Sequence, residues 1–495
     1  MLSVAGALTR PASQFTLSRL RERGRARKMR SNKDEFQMTA LDSVLARIDQ
    51  NRDAAIERLF GLLAIPSVST DPDYAPDCAR AGQWLVDELK GLGFEAALRP
   101  TDGHPMVVAK AKAKRRDVPH VLFYGHYDVQ PADPIDLWET EPFKPHLSAD
   151  GQRIVGRGSA DDKGQLMTFV EACRAFRETG ELPCDITILF EGEEETGSPS
   201  LPAFLAANKN ELNADLMLVC DTNMWSKDTP AITTMLRGLV LEEVVIHGAS
   251  RDLHSGMFGG PAINPIRVLS RIIAEIHDAR GRVALPGFYS GVDELPEDVA
   301  EQWRKLDFDP RKFLADVGLS QPAGEQDRSV LEQIWSRPTC DVNGIVGGYT
   351  GKGSKTVLPA QASAKFSFRL VGKQDPEKVL ASFREFVRAR LPADCRVEFL
   401  SHGASPALQL PFSSEALARA RRALHAEWGN EPVLSGSGGS IPIVGIFKKD
   451  LGMDALMIGF GLDDDRIHSP NEKYEMSSFH KGARSWARVL DALAG

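Results

Sequence analysis

His120-Val121-Leu122-Phe123-Tyr124-Gly125-His126-Tyr127-Asp128-Val129-Gln130-Pro131 is a short apolar run that breaks into glycine, histidine and aspartate. Its first part, His120–Tyr124, reads as a buried strand, and Ile186–Phe190, Leu216–Cys220 and Leu456–Phe460 have the same look. Helical patterning lies between several of them, most plainly over Lys163–Thr179, and precedes them over Ala40–Leu63 and Cys78–Leu92. Strands alternating with helices imply an open, mostly parallel α/β sheet. In such sheets functional groups gather beyond the carboxyl ends of the strands, which is where His126 and Asp128 fall.

The other strand ends carry chemistry of the same kind. His126 offers an imidazole to a metal and Asp128 a carboxylate to orient that ring, although a histidine at a strand end is more often a hydrogen-bonded core or surface residue. Gly156-Arg157-Gly158-Ser159-Ala160-Asp161-Asp162-Lys163-Gly164 places adjacent acids between glycines at the start of a helix. They serve either as a loop with an N-cap or as a carboxylate shared by two cations. Glu191-Gly192-Glu193-Glu194-Glu195-Thr196-Gly197-Ser198 follows a buried strand. Acidic runs are usually solvated, but like charges crowded at an active-site edge invite a cation. Asp221 ends the strand Leu216–Cys220, and His468 follows Leu456–Phe460 in the stretch Asp463–Glu472. Together these positions point to a metal site built from His, Asp and Glu.

Cysteine does not compete for that role. Cys78, Cys173, Cys184, Cys220, Cys340 and Cys395 are scattered with no C-x-x-C pair, which fits reduced thiols in a cytoplasmic protein. A net charge of -8 argues against nucleic acid as a partner. No apolar stretch reaches the roughly 18 residues that span a bilayer. At 495 residues, 42% hydrophobic and 26% charged, the chain is long enough for two domains. Strand alternation over Leu239–Ile246 and Ala364–Leu370, with helical stretches over Pro265–Ala279 and Pro376–Leu391, suggests an inserted α+β domain. Its borders are placed near Ala231 and Ala404, giving 41–230 with 405–495 as one domain and 231–404 as the insertion. Segment 1–40 is set apart as a disordered or mis-assigned extension with Met38 as the alternative start. The arginine-rich run Arg21–Lys28 also looks like a transit-type presequence.

Two tempting motifs fail on register. Gly348–Thr356 lacks the G-x-x-x-x-G-K-[ST] spacing of a phosphate loop, because glycine follows Lys352. Ser435–Ser440 is serine-rich but contains no G-x-S-x-G elbow in a strand–turn–helix setting.

Taken in order, GHYDVQP (125–131), GRGSADDKG (156–164), EGEEETGS (191–198), Asp221, DLHSGMFGG (252–260), KTVLP (355–359), FSFRLV (366–371), GGSIP (438–442) and HSPNEK (468–473) resemble the motifs of a di-zinc peptidase family. Its members include cytosolic non-specific dipeptidases, carnosine dipeptidases, peptidase V and aminoacylase, and the likeness runs from about Leu41 to the C-terminus. The resemblance implies two divalent ions, zinc with manganese or cobalt as alternatives. His126 and Asp221 would hold one, Glu195 and His468 the other, and Asp161 would bridge. It further implies Glu194 as general base, Asp128 as the orienter of His126, and a cis Asp161–Asp162 peptide. The insertion would be a lid and dimerisation domain, with His254 reaching the site of a partner subunit to stabilise an oxyanion. Thr356, Arg369 and Ser440 would hold the substrate's carboxylate, and His468 would also face the substrate. An aspartate at position 221 resembles the dipeptidase members and favours dipeptides with free termini. An N-acyl-amino-acid amidohydrolase is the alternative enzyme, and a silent binding or scaffold protein the alternative outside catalysis.

Overall fold

The computed structural model of the chain describes residues 39–439 and 442–495. The readings made for the stretch before Thr39, and the assignment of Ser440, lie outside the described residues.

The principal sheet has nine strands. Its middle is formed by Asp185–Glu191, His120–His126, Leu216–Val219 and Ala455–Met457, side by side and parallel. Towards one edge Met106–Ala111 and Glu95–Arg99 add antiparallel strands. Towards the other, Ala231–Leu236 pairs antiparallel with Ala455–Met457 and Leu408–Gln409, and parallel with Val433–Ser437. The sheet is therefore mixed, and the expected parallel order holds at its centre and again between Ala231–Leu236 and Val433–Ser437. The short connection between Glu95–Arg99 and Met106–Ala111 permits a hairpin, whereas parallel neighbours need a long crossover.

The central strands are apolar because both faces are covered. One face packs against Lys163–Thr179 and Met476–Ala494, the other against Leu201–Ala207 and Pro442–Leu451. Phe123 stacks on Phe169 with ring centroids 3.7 Å apart, and Trp486 meets Phe123 edge-on at 5.4 Å. Fully burying side chains of this kind is worth about 1.5–3 kcal/mol each, which sustains the charged edge described below.

A second, four-stranded antiparallel sheet runs Thr339–Gly347, Gln361–Leu370, Gly238–His247, Arg396–Ser405. Gly238–His247 alternates strictly between buried and half-buried positions, as a one-sided strand must. Helices Pro265–Ala274 and Pro376–Arg388 cover its inner face. Both start on an N-cap with proline behind it: Asn264 accepts from Ile266 N, and Asp375 from Glu377 N and Lys378 N.

The chain between the sheets differs from the sequence reading in two places. Ala231–Leu236, which the border near Ala231 assigns to the insertion, is buried throughout and belongs to the principal sheet. Helices Glu297–Arg304 and Val330–Trp335 return to that sheet's core, with Val299, Trp303 and Leu331 packed there. The Trp303 indole N–H donates to Leu434 O at 2.7 Å. Among the described residues no helix is long and apolar enough to cross a membrane.

Candidate metal centre

His126 is the last residue of its strand and is buried. Gly125 before it is obligatory, since a Cβ there would lie 2.8 Å from Asp162 Oδ2 and 3.1 Å from Cys220 Sγ. The ring is held at both nitrogens. Nδ1 lies 3.1 Å from Asp128 O and 3.4 Å from Asp128 Oδ1, while Nε2 lies 3.1 Å from Asp161 Oδ1. Asp161 turns its other oxygen to His468 Nε2 at 2.9 Å, and the same nitrogen is 3.3 Å from Glu195 Oε2. Ligand atoms of His126, Asp161 and Asp221 lie within 4.8 Å of one another, as do those of Asp161, Glu195 and His468. Asp161 belongs to both groups. Its peptide bond to Asp162 is cis.

The acidic run sorts itself by partner. Glu191 points inward and accepts from the Tyr124 hydroxyl at 2.7 Å, burial raising its carboxyl to about 7. Glu193 accepts from the backbone N–H groups of His104 at 2.6 Å and Ser200 at 3.1 Å, so it fastens the loop. Glu195 accepts from Gln130 Nε2 at 2.7 Å. Among the described residues none hydrogen-bonds the Glu194 carboxylate. Burial raises its pKa, His126 opposes the rise, and the charges of Glu195, Asp128 and Asp161 add to it. Asp128 ties this turn to the histidine strand, accepting from Glu194 N at 3.2 Å, Glu195 N at 3.0 Å and Ser69 Oγ at 2.6 Å.

Asp221, His468 and His126 hold protons more tightly than usual, whereas at Asp161 burial is outweighed by the imidazoles of His126 and His468, which lower its pKa. Burial, then the charge of Asp161, raises Asp221 to about 7. Hydrogen bonds to Asp161 and Glu195 raise His468 to about 10. Burial lowers the pKa of His126, but its bonds to Asp128 and Asp161 outweigh that and leave it well above the usual value.

Glu472 was missed in the sequence. It is fully buried and accepts from Gly158 N at 2.9 Å, Ala160 N at 2.9 Å, Asp161 N at 3.1 Å and Arg157 Nη1 at 2.8 Å. It thus joins the Asp161 loop to the His468 loop, where His468 itself sits at φ 57°. Its place in HSPNEK, four residues after His468, was the available signal.

The remaining candidates lie elsewhere. His254 is exposed and pairs with Val357 in a two-strand ribbon, and Thr356 O accepts from Ser255 N at 3.0 Å, so His254 and Thr356 are neighbours. Nδ1 of His254 accepts from Gly256 N at 3.0 Å, which leaves its proton on Nε2. Arg369 stands on Gln361–Leu370 opposite Leu239 and Thr339. Within one chain none of these makes a hydrogen bond or ion pair to the metal-ligand groups among the described residues. Arg237, also missed, bonds Gly438 O through Nε at 3.0 Å. Burial, then the charge of Arg369, lowers it to about 10.

With this geometry in hand, the likeness to known proteins is specific. The model of Peptidase family M20/M25/M40 matches residues 122–492. The chain belongs to that family. The M20 chain is 32% identical over 483 residues to the Cys-Gly metallodipeptidase DUG1 of Candida albicans, covering 93% of this chain and 99% of that one. It is 29% identical to the human Beta-Ala-His dipeptidase, over 92% and 93% of the two chains. Among solved structures, the M20 family metallo-carboxypeptidase Sso-CP2 from Sulfolobus solfataricus superposes with a TM-score of 0.73 at 32% identity, covering 89% of this chain and 99% of that chain. The di-peptidase Dug1p from Saccharomyces cerevisiae gives 0.69 at 28%, with 92% and 99% covered. The M20 chain is a metal-dependent peptidase.

Proposed function

We propose that this M20 enzyme hydrolyses the amide bond of dipeptides with free termini, using two divalent cations held by His126 with Asp221, by Glu195 with His468, and by Asp161 between them. The observation that carries the reading is the pair of ligand groups sharing Asp161. The donor set fits the ions: imidazole nitrogens and carboxylate oxygens suit zinc, with manganese or cobalt as close competitors. Burial first, and then the charge of neighbouring acids, raises Asp221 and Glu194, a cost that bound cations would offset. When bound, the cations supply Lewis acidity toward a water and toward the scissile carbonyl.

The chain's own groups do the rest. Glu194, with its carboxylate left open and its pKa raised, takes a proton from the attacking water and returns it to the leaving amine. Asp128 fixes both the His126 ring and the backbone of the Glu194 turn, so the base and a ligand keep one registration. Arg369, Thr356 and Ser440 would hold the substrate carboxylate, the guanidinium fork matching its two oxygens. The four-stranded domain would act as lid and dimer interface. Ile345 (61% exposed) and Val346 (65%) on the strand Thr339–Gly347, and Met257 (73%) just after His254, are exposed apolar side chains of that domain. Such surface suits a second copy of the chain, and His254 would then donate its Nε2–H to the oxyanion of the partner's substrate. Six unpaired cysteines favour the cytoplasm.

The test is hydrolysis by metal-loaded enzyme, with and without chelator, of free dipeptides, their N-acetyl forms and N-acyl amino acids. Chelator-sensitive cleavage of the free dipeptides alone is expected. Cleavage of acylated compounds alone would reassign the enzyme as an amidohydrolase.

A further inference from the structure

A cavity of about 970 Å³ opens beside Asp221, and its wall is unlike the charged floor of the metal centre. Trp225, Trp335, Leu306, Phe308, Phe313 and Ile467 line it. The aromatic groups brace one another: Trp225 meets Trp335 edge-on at 6.0 Å, Trp335 meets Trp303 at 4.9 Å, and Phe308 lies 5.6 Å from Phe313. A volume this size exceeds what a glycine or alanine side chain would fill, and lies at the upper end of ordinary ligand sites.

From this we propose that the chamber is the subsite for the side chain of the substrate's N-terminal residue, and that the enzyme selects dipeptides beginning with a bulky apolar or aromatic residue. The inference rests on the dipeptidase reading and narrows it. Direction follows from which wall carries which group. Trp225 and Asp221 share one loop, and the aspartate at 221 is the feature that favours a substrate with a free amine. Ser437 and Gly438, at the start of the segment whose Ser440 is assigned to the carboxylate, line another part of the cavity. The lining also includes Asp307 and Asp463, with Lys305 as its one cation among the described residues, and the Lys305 ammonium is already paired with Glu301 at 2.6 Å. Acidic side chains are therefore disfavoured.

The experiment compares kcat/KM for Phe-Gly, Ala-Gly and Asp-Gly in the wild-type enzyme and in Phe313→Ala. Phe313 is 45% exposed on a short helix, so its truncation spares the core. The expected result is a Phe-Gly to Ala-Gly ratio of about tenfold or more in the wild type, collapsing toward unity in the variant, with Asp-Gly poorest. A ratio near one, or one that Phe313→Ala leaves intact, overturns the chamber assignment. Binding of phenylalaninamide and alaninamide, followed by tryptophan fluorescence, judges the chamber without turnover. Tighter binding of the aromatic amide that Phe313→Ala abolishes supports the chamber, and equal binding overturns it. An enzyme that cleaves no dipeptide yet binds the aromatic amide would sink the dipeptidase reading alone.

Discussion

Glu194 and Glu195 are chemically identical neighbours, and their surroundings divide the work between them. Glu195 is steered by Gln130 toward His468, whereas the Glu194 carboxylate is left to a proton. Glu194→Gln is therefore expected to lower kcat by about 10²–10⁴ while metal content stays at the wild-type stoichiometry. Metal analysis of the purified variant beside its kinetics checks both halves. The raised pKa values of His126 and His468 mean that protons compete for both rings in the metal-free protein, and they must leave before either nitrogen can act as the proposed ligand. Metal affinity should fall more than tenfold from pH 8 to pH 6, with proton release visible by calorimetry in buffers of different ionisation enthalpy. The metal-free fold responds oppositely. A histidine raised from 6.5 to about 10 contributes stability that is complete below pH 6.5 and is lost as pH rises through 10. At this scale the sequence was readable wherever a polar residue closed an apolar run, as at His126 and Asp221. It was not readable for Ser69, Arg237 and Glu472, whose importance comes from partners far away in the chain.

Elements were legible according to how they are buried. The central strands announce themselves as apolar runs, and Gly238–His247 by its alternation. Ala231–Leu236 is equally buried, but its two threonines and its position beside the insertion disguise it. Helices Glu297–Arg304 and Val330–Trp335 are short, and only tertiary contact shows which core they join. Glu472 belongs to this scale because it clasps two loops. Glu472→Ala leaves Arg157, itself 1% exposed, without its counter-charge. A loss of about 3–5 kcal/mol in unfolding free energy is expected, measured by urea denaturation, together with weakened metal binding. A variant that unfolds like wild type would show that the clasp is dispensable.

For the whole molecule the open question is whether one chain makes a complete site. If His254 acts across a dimer, Glu194→Ala and His254→Ala homodimers are each nearly inactive. Mixing them under conditions of subunit exchange should restore activity, because one site in each hybrid then has both an intact Glu194 and an intact His254. Failure of the mixture, with exchange demonstrated, would confine catalysis to a single chain. Ile345→Asp is expected to shift sedimentation toward the monomer and to reduce turnover with it.

The clasp between Arg157 and Glu472 spans 315 positions of sequence. Chains emerge from the ribosome amino end first, at about 5–20 residues per second, so roughly 15 to 60 s separate the appearance of these partners. During that interval the His126 and Asp161 ends exist without His468. A nascent chain can assemble at most half of the proposed centre, and a product truncated before His468 would be an incomplete chelator rather than a slow enzyme. Loading with metal is thereby tied to completion of synthesis.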